Sequence, residues 1–315
     1  MKVLVTGAAG FIGSHAAEAL SSHGYQVVGL DNFSDYYDVN LKVINAQSLS
    51  TNNIEVIRID LTHPEELGRL DYDFDFIMHF AAQPGISASS TFDQYLNNNV
   101  FATYNLIEFA INNKSLKHFF YISTSSVYGL EATCPETTAP QPASWYGVTK
   151  LAAEQLVLAE TRVQRLNASS LRLYSVYGPR ERPEKLYTKL IACALKNERF
   201  PLFSGSEDHL RSYTYVGDII DGILSAVQKH QALNGEIINL GTEAEYTTRE
   251  GIGYVEELLG KKIEFDILPP RQGDQLRTRA NIEKAKQVLN YHPSTGLREG
   301  LALQVEWYKD NFVDQ

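Results

Sequence analysis

Cysteine, methionine and tryptophan are scarce, with two of each in 315 residues. The cysteines, Cys134 and Cys193, stand far apart, so they form neither a disulfide framework nor a metal-ligand pair, and a reducing cytoplasm is the expected compartment. None of the eight histidines falls in an HxH or HExxH pairing, and no metal site is expected. Long apolar runs are missing too. None approaches the ~18 residues that cross a bilayer, and the opening MKVLVTGAAGFIG is broken by three glycines where a signal peptide would continue its apolar stretch. Positive charge is also short: 28 Lys and Arg against 38 Asp and Glu leave a net −10. That balance argues against a protein that wraps nucleic acid or coats an anionic membrane, and neither partner is expected.

What is present fits an ordinary packed protein, with 43% hydrophobic residues and only 11 prolines. Apolar, strand-like runs recur at Lys2–Thr6, Gln26–Leu30, Ile54–Ile59, Phe74–Phe80, His118–Ser123 and Ser169–Leu173. Between them, Ser14–His23, Asn97–Ile111 and Tyr146–Arg162 carry helical spacing. Alternating strands and helices of this kind predict an α/β fold, a Rossmann-type doubly wound parallel sheet, because each crossover helix must return over one face of the sheet. After about residue 170 the pattern loosens into Gly-, Pro- and Arg-rich loops with short strands and helices between them, and a smaller α/β substrate-binding domain is expected over 171–315. A cofactor-binding domain is expected over 1–170, with a returning segment near 214–242. Charge is lopsided as well. Residues 1–170 hold nine cations against 17 anions, whereas ten of the 14 arginines lie beyond them.

Gly7-Ala8-Ala9-Gly10-Phe11-Ile12-Gly13 follows the first strand and opens a helix. The first glycine permits a tight turn, the second admits a pyrophosphate to the backbone, and the third allows close helix–strand packing. Asp31 closes the second strand 18 residues after Gly13, where a carboxylate can accept from ribose hydroxyls. With no neighbouring arginine to neutralise a 2′-phosphate, NAD is favoured over NADP. Asp60-Leu61 is a candidate adenine contact, and the small residues Ala81 and Ala82 leave room for the cofactor beside the fourth strand.

Tyr146 and Lys150 are four apart, so a helix projects both from one face. A phenol is a poor base near neutral pH, and an adjacent ammonium together with a positive nicotinamide ring would lower its pKa. Ser123-Thr124-Ser125-Ser126-Val127-Tyr128-Gly129 lies just past the fifth strand, at the edge where open sheets bind ligands. A hydroxyl there can share a substrate oxygen with Tyr146.

GxxGxxG, the acid after strand two, Ser/Thr before VYG and YxxxK, in this order, resemble the extended short-chain dehydrogenase/reductase family, specifically its nucleotide-sugar epimerases and dehydratases. The resemblance spans nearly the whole chain. It implies that Thr124, Tyr146 and Lys150 are catalytic, with Tyr146 removing the sugar C4 hydroxyl proton, Thr124 bonding the C4 oxygen and Lys150 holding the nicotinamide ribose. It also implies cofactor contacts from Gly7, Gly10, Phe11, Ile12, Gly13, Asp31, Asn32, Lys42, Asp60, Leu61, Ala81 and Ala82. Dehydratases of the family carry an Asp-Glu pair after the active-site Thr; here Ser125 and Ser126 stand instead, and hydroxyls do not readily run an elimination.

The stretch from Asp31-Asn32 through Asp35-Tyr36-Tyr37-Asp38 to Leu41-Lys42 is similar to that of UDP-glucuronate 4-epimerases, and Ser175 keeps a hydroxyl where that branch has Thr and galactose-type epimerases have Asn. The chain departs from the glucuronate branch at Ser87, where Arg is usual, and at Gly178-Pro179-Arg180-Glu181-Arg182-Pro183-Glu184. The implied activity is an NAD-dependent 4-epimerase of a UDP-sugar, converting UDP-glucuronate to UDP-galacturonate through a 4-keto sugar. UDP-glucose or UDP-N-acetylglucosamine is the alternative substrate, and a non-catalytic NAD-sensing protein the alternative of another class. The resemblance assigns the diphosphate to Arg211 and Arg271 and a further substrate contact to Arg182, beside Ser125, Ser126 and Ser175. It also implies a homodimer paired through helices near Asn97–Ile111 and Tyr146–Arg162.

Overall fold

The computed structural model describes residues 1–70, 73–85, 90–270 and 275–313. Seven parallel strands form the central sheet: β1 (Lys2–Thr6), β2 (Gln26–Asp31), β3 (Glu55–Arg58), β4 (Phe76–His79), β5 (His118–Thr124), β6 (Ala168–Leu173) and β7 (Ile237–Leu240), in the order β7-β6-β5-β4-β1-β2-β3. The fold is α/β and Rossmann-like. Chain order reverses beside β1, which pairs with β2 on one side and β4 on the other, so a crevice opens at the carboxyl ends of β1 and β4.

The strands read as near-continuous apolar runs because both faces are covered, and β4 and β5 are buried along their whole length. Alternate residues serve opposite faces. Val3, Val5, Phe76, Met78, Phe120 and Ile122 pack on one side with Ala16, Ala17 and Leu20 of α1 (Phe11–Ser22). Leu4, Ile77, Phe119 and Tyr121 pack on the other. There they meet Leu106 and Ile107 of Ala102–Asn112, and Ala153 and Val157 of α2 (Trp145–Arg162).

Element edges move by a few residues from their expected places. The third strand is shorter than Ile54–Ile59 and the fourth shorter than Phe74–Phe80, since their ends turn out of the ladder. The helix expected from Asn97 begins at Phe92, and its turns over Leu96–Phe101 are π-helical; apolar spacing alone does not reveal the wider turn. Ser144 caps α2 by accepting from the Gly147 amide at 3.1 Å, which places Tyr146 in its first turn.

A third core brings together α3 (Leu186–Lys196), Thr248–Leu259 and Leu297–Phe312, through Tyr187, Leu190, Ile191, Ile252, Val255, Leu297 and Leu301. Within this part, Phe200–Phe203 pairs with Phe265–Leu268. Among the described residues no helix is long and apolar enough to cross a membrane.

Candidate active site

One cleft of about 790 Å³ runs along the carboxyl edge of the sheet and on toward the third core. It is lined by every candidate site residue that the structure describes, from Gly7 to Arg211. Arg271 and Ser87 lie outside the described residues.

The glycine turn is tight enough to require its glycines. Gly7 has φ +68°, and a Cβ there would sit 2.8 Å from the Ala81 amide nitrogen. At Gly13 a Cβ would sit 2.2 Å from the Gly7 carbonyl oxygen. Removing either hydrogen-only position would push the turn away from β4 or from α1. The first turn of α1 therefore faces the cleft with its backbone accessible, Gly10 offering no side-chain cap.

At the far end of the turn, buried Asp31 is already engaged. The Ala9 amide donates to it at 3.2 Å, the Phe33 amide at 2.8 Å and Lys42 Nζ at 3.1 Å. Lys42 also donates to Ser34 Oγ at 3.2 Å, so Asp31 and the loop after β2 are held as one piece. Asn32 donates to Asp60 at 3.0 Å. Burial pushes the Asp60 carboxyl up, but hydrogen bonds from Thr62 and Asn32 outweigh it and hold the group below its ordinary range. Both carboxylates are thus held by fixed donors of the fold. Ala81 follows β4 with its amide donating to Thr6 Oγ1 at 3.2 Å, and Ala82 lines the cleft beside it. A diphosphate backbone against Gly7–Gly13 and a ribose diol against Asp31 fit these groups, so the residues present suit a dinucleotide.

Thr124 ends β5 and starts a short 3₁₀ turn, its hydroxyl accepting from the Ser126 amide at 3.2 Å. Tyr146 faces it from α2. Burial holds the Tyr146 phenol above its ordinary pKa, against lowering by a hydrogen bond with Thr124 and by the positive charge of Arg182. Lys150 lies one turn on but bonds elsewhere: its Nζ donates to the Ile122 carbonyl at 2.6 Å and sits 4.3 Å from the Tyr121 ring centroid. Burial brings the Lys150 ammonium down to about 7, opposed by Glu154. Thr124 and Arg182, rather than the expected Lys150, are thus the side chains that lower the Tyr146 phenol.

Ser125 is buried at the cleft wall, while Ser126 and Ser175 are half-buried. Ser175 has φ +29°, outside the usual range for a residue with a Cβ, as the chain turns sharply into the loop that carries Arg182. Arg182 pairs with Glu184 at 2.6 Å and stands 5.8 Å from the Tyr36 ring centroid. It therefore spans the cleft from the loop after β2 toward Tyr146. Arg211 reaches the same cleft from the short strand Leu210–Arg211. Sequence reasoning missed Tyr36 as the platform for Arg182, and it missed Lys185 and Lys189, which line the cleft at the start of α3. Nothing in their local spacing separates them from surface lysines.

Crevice, glycine turn and Thr-Tyr-Lys cluster together define a dinucleotide-dependent enzyme acting on a carbinol carbon. The chain belongs to the NAD dependent epimerase/dehydratase family, whose model matches residues 3–241. It is 34% identical over 328 residues to UDP-glucuronate 4-epimerase 2 of Arabidopsis thaliana, covering 98% of this chain and 76% of that protein. The fold superposes on the UDP-glucuronic acid 4-epimerase of Bacillus cereus, solved with UDP-glucuronic acid and NAD, with a TM-score of 0.94 and 36% identity over 99% of this chain and 100% of that one. The UDP-glucose 4-epimerase of Thermotoga maritima, solved with UDP-glucose, gives a TM-score of 0.89 at 30% identity over 98% and 99% of the two chains.

Proposed function

We propose that this protein is an NAD-dependent 4-epimerase that interconverts UDP-glucuronate and UDP-galacturonate. The observation that carries the reading is that Thr124, Tyr146 and Lys150 line one cleft with the hydroxyls of Ser125 and Ser126, which directly follow Thr124, and of Ser175. Acids at those places would favour elimination; hydroxyls hold a carboxylate by hydrogen bonds and leave C5 and C6 unreacted. Both the Arabidopsis and the Bacillus relatives are named for the glucuronate reaction.

NAD, when bound, supplies the hydride acceptor and a positive ring beside the phenol. The residues of this chain do the rest. Gly7, Gly10, Phe11, Ile12 and Gly13 would cradle the pyrophosphate and Asp31, fixed by Lys42, would receive the adenosine ribose, with Asn32, Asp60, Leu61, Ala81 and Ala82 as further contacts. Lys150, now bonded to the Ile122 carbonyl, would hold the nicotinamide ribose. Tyr146 takes the proton from the sugar O4 as C4 is oxidised, while Thr124 donates to that oxygen. The 4-keto sugar then turns in the cleft, and Tyr146 returns the proton once the opposite face of C4 has been reduced. Arg211 and Arg271 bind the diphosphate, and Arg182 places the sugar.

The division into a cofactor part over 1–170, joined by 214–242, and a substrate part over the remainder follows from this assignment of sites. We place the enzyme in the cytoplasm, where its free cysteines are stable. A homodimer is also part of the reading: Phe101, Tyr104, Trp145 and Val148 are exposed on the two helices named for it, whereas Leu106 and Leu158 are spent in the monomer core.

Incubation with UDP-glucuronate, UDP-glucose and UDP-N-acetylglucosamine, followed by NMR assignment of the C4 configuration, tests the function. Inversion of UDP-glucuronate supports it. Pentose with released CO2, or a 4-keto-6-deoxy sugar, overturns it, and inversion of only the neutral sugars moves the substrate to the other branch.

A further inference from the structure

Three cationic side chains, Arg182, Lys185 and Arg211, line the substrate end of the cleft and feel one another's charge, and among the described residues Lys185 forms no salt bridge. Lys185 immediately precedes α3, its amide donating to the Arg182 carbonyl at 3.1 Å and its carbonyl accepting from the Lys189 amide at 2.9 Å. Its backbone is thereby fixed, but among the described residues nothing accepts a hydrogen bond from Nζ. The two nearest acids are occupied. Glu184 pairs with Arg182 at 2.6 Å. Glu181 is buried, accepting from Thr188 Oγ1 at 3.0 Å and Gln304 Nε2 at 2.9 Å, and burial raises its pKa. Burial and then the Arg182 charge hold the Lys185 ammonium below the usual lysine range, with Arg211 adding to the effect and the two glutamates opposing it.

A half-buried ammonium in the field of two guanidiniums is electrostatically unfavourable until an anion arrives. The first turn of α3 lies beside it with no side-chain cap, so free backbone amides add to the same field.

We propose that Lys185 is a substrate-binding residue that donates to an anionic oxygen of the nucleotide sugar, shared with Arg182 and Arg211. This rests on the reading of the protein as an enzyme of UDP-sugars and adds a residue that the family resemblance did not assign. Two oxygens of the substrate meet that description, those of the diphosphate and that of the uronate carboxylate. They are separated by comparing ligands that have one or both.

The experiment is calorimetric titration of the NAD-loaded protein with UDP, UDP-glucose and UDP-glucuronate, for wild type, Lys185→Met and Lys185→Arg. Methionine keeps the unbranched stem against the wall and removes the charge, and matching thermal unfolding of the ligand-free forms shows that the fold is intact. Losing a charge-assisted hydrogen bond weakens binding about ten- to hundredfold. A loss of that size for all three ligands in Lys185→Met, recovered in large part by Lys185→Arg, supports a diphosphate contact. A loss confined to UDP-glucuronate supports a carboxylate contact. Unchanged affinity for every ligand overturns the proposal while leaving the enzyme's function standing, whereas a wild-type protein that binds none of the three overturns both.

Discussion

Behind Lys150 lies a buried ion pair whose removal should be costly. Glu154, one turn further along α2, is fully buried, and so is Arg172 on β6. Arg172 Nε donates to one carboxylate oxygen of Glu154 at 3.0 Å and Nη2 to the other at 2.5 Å, while Ser170 Oγ adds a third bond at 2.7 Å. With charge centres about 4 Å apart and an effective dielectric near 20, the attraction is about 4 kcal/mol. Glu154→Gln keeps the shape but leaves the guanidinium charge uncompensated, so unfolding in urea should show a loss of about 3–5 kcal/mol. Arg172→Met should lose a similar amount. Replacing both Glu154 and Arg172 with Met should recover most of it, because two apolar groups desolvate nothing. The substitution has a second reading at the active site. Glu154 is the charge that opposes the fall of Lys150 to about 7. Without it the ammonium survives only at lower pH, and the pH profile of turnover in Glu154→Gln should move toward acid. A Glu154→Gln loss under about 1 kcal/mol, together with an unmoved pH profile, would refute the argument.

Tyr146→Phe should cut turnover by about 10²–10⁴ while UDP-sugar binding stays near wild type, since only the proton transfer is removed; undiminished turnover would unseat Tyr146 as the base. Gly13→Ala puts a methyl 2.2 Å from the Gly7 carbonyl oxygen, so the turn must shift. A cost of about 1–3 kcal/mol in stability and a clear loss of NAD retention on gel filtration are expected, and retention at wild-type level would contradict the tight turn. His79 and His118 are buried and pushed down to about 3 by desolvation, well under the value near 6.5 of the unfolded chain. The unfolded state therefore takes up the protons first, so their stabilisation is complete above about pH 6.5 and is lost as pH falls toward 3, with about 2 kcal/mol per histidine gone by pH 5. Urea titrations at pH 8 and pH 5 check this, and His79→Gln should flatten the difference by its share.

The parts of the site that were legible in the sequence are those in which one short segment carries its own geometry. Gly7 and Gly13 belong to a turn whose φ and close contacts exclude a side chain, and Tyr146 and Lys150 share a helix face. Thr124 is readable because the run Phe119–Ile122 of β5 stops at two hydroxyl residues, Ser123 and Thr124, which mark the strand's end. Contacts that close over long separations were not legible. Arg172 reads as a strand cation until the fold sets Glu154 beneath it. Arg182 reaches the Tyr36 ring and the space beside Gly85 only because β2 and β4 flank β1 and end at the same edge of the sheet. The π-helical turns of Leu96–Phe101 bring buried Asn99 to donate to Thr149 of α2 at 3.0 Å, and helical spacing does not show a register change of one residue.

The overall −10 charge looks unsuited to a substrate with a diphosphate, and in the folded chain the two are reconciled locally. The acids nearest the cofactor end are satisfied by fixed donors: Asp31 by two amides and Lys42, Asp60 by Thr62 and Asn32. At the substrate end the two described acids next to Lys185 are withdrawn, Glu181 beneath the surface on Thr188 and Gln304, and Glu184 on Arg182. What an anion meets beside α3 is therefore the field of Lys185 and of the far side of Arg182. Coulomb energy falls with distance and is screened over about 8–10 Å at physiological salt, so the surplus acids spread over the surface contribute little there. Net charge governs which polymers and membranes the protein avoids; the residues within one Debye length of the cleft govern which small anion it admits.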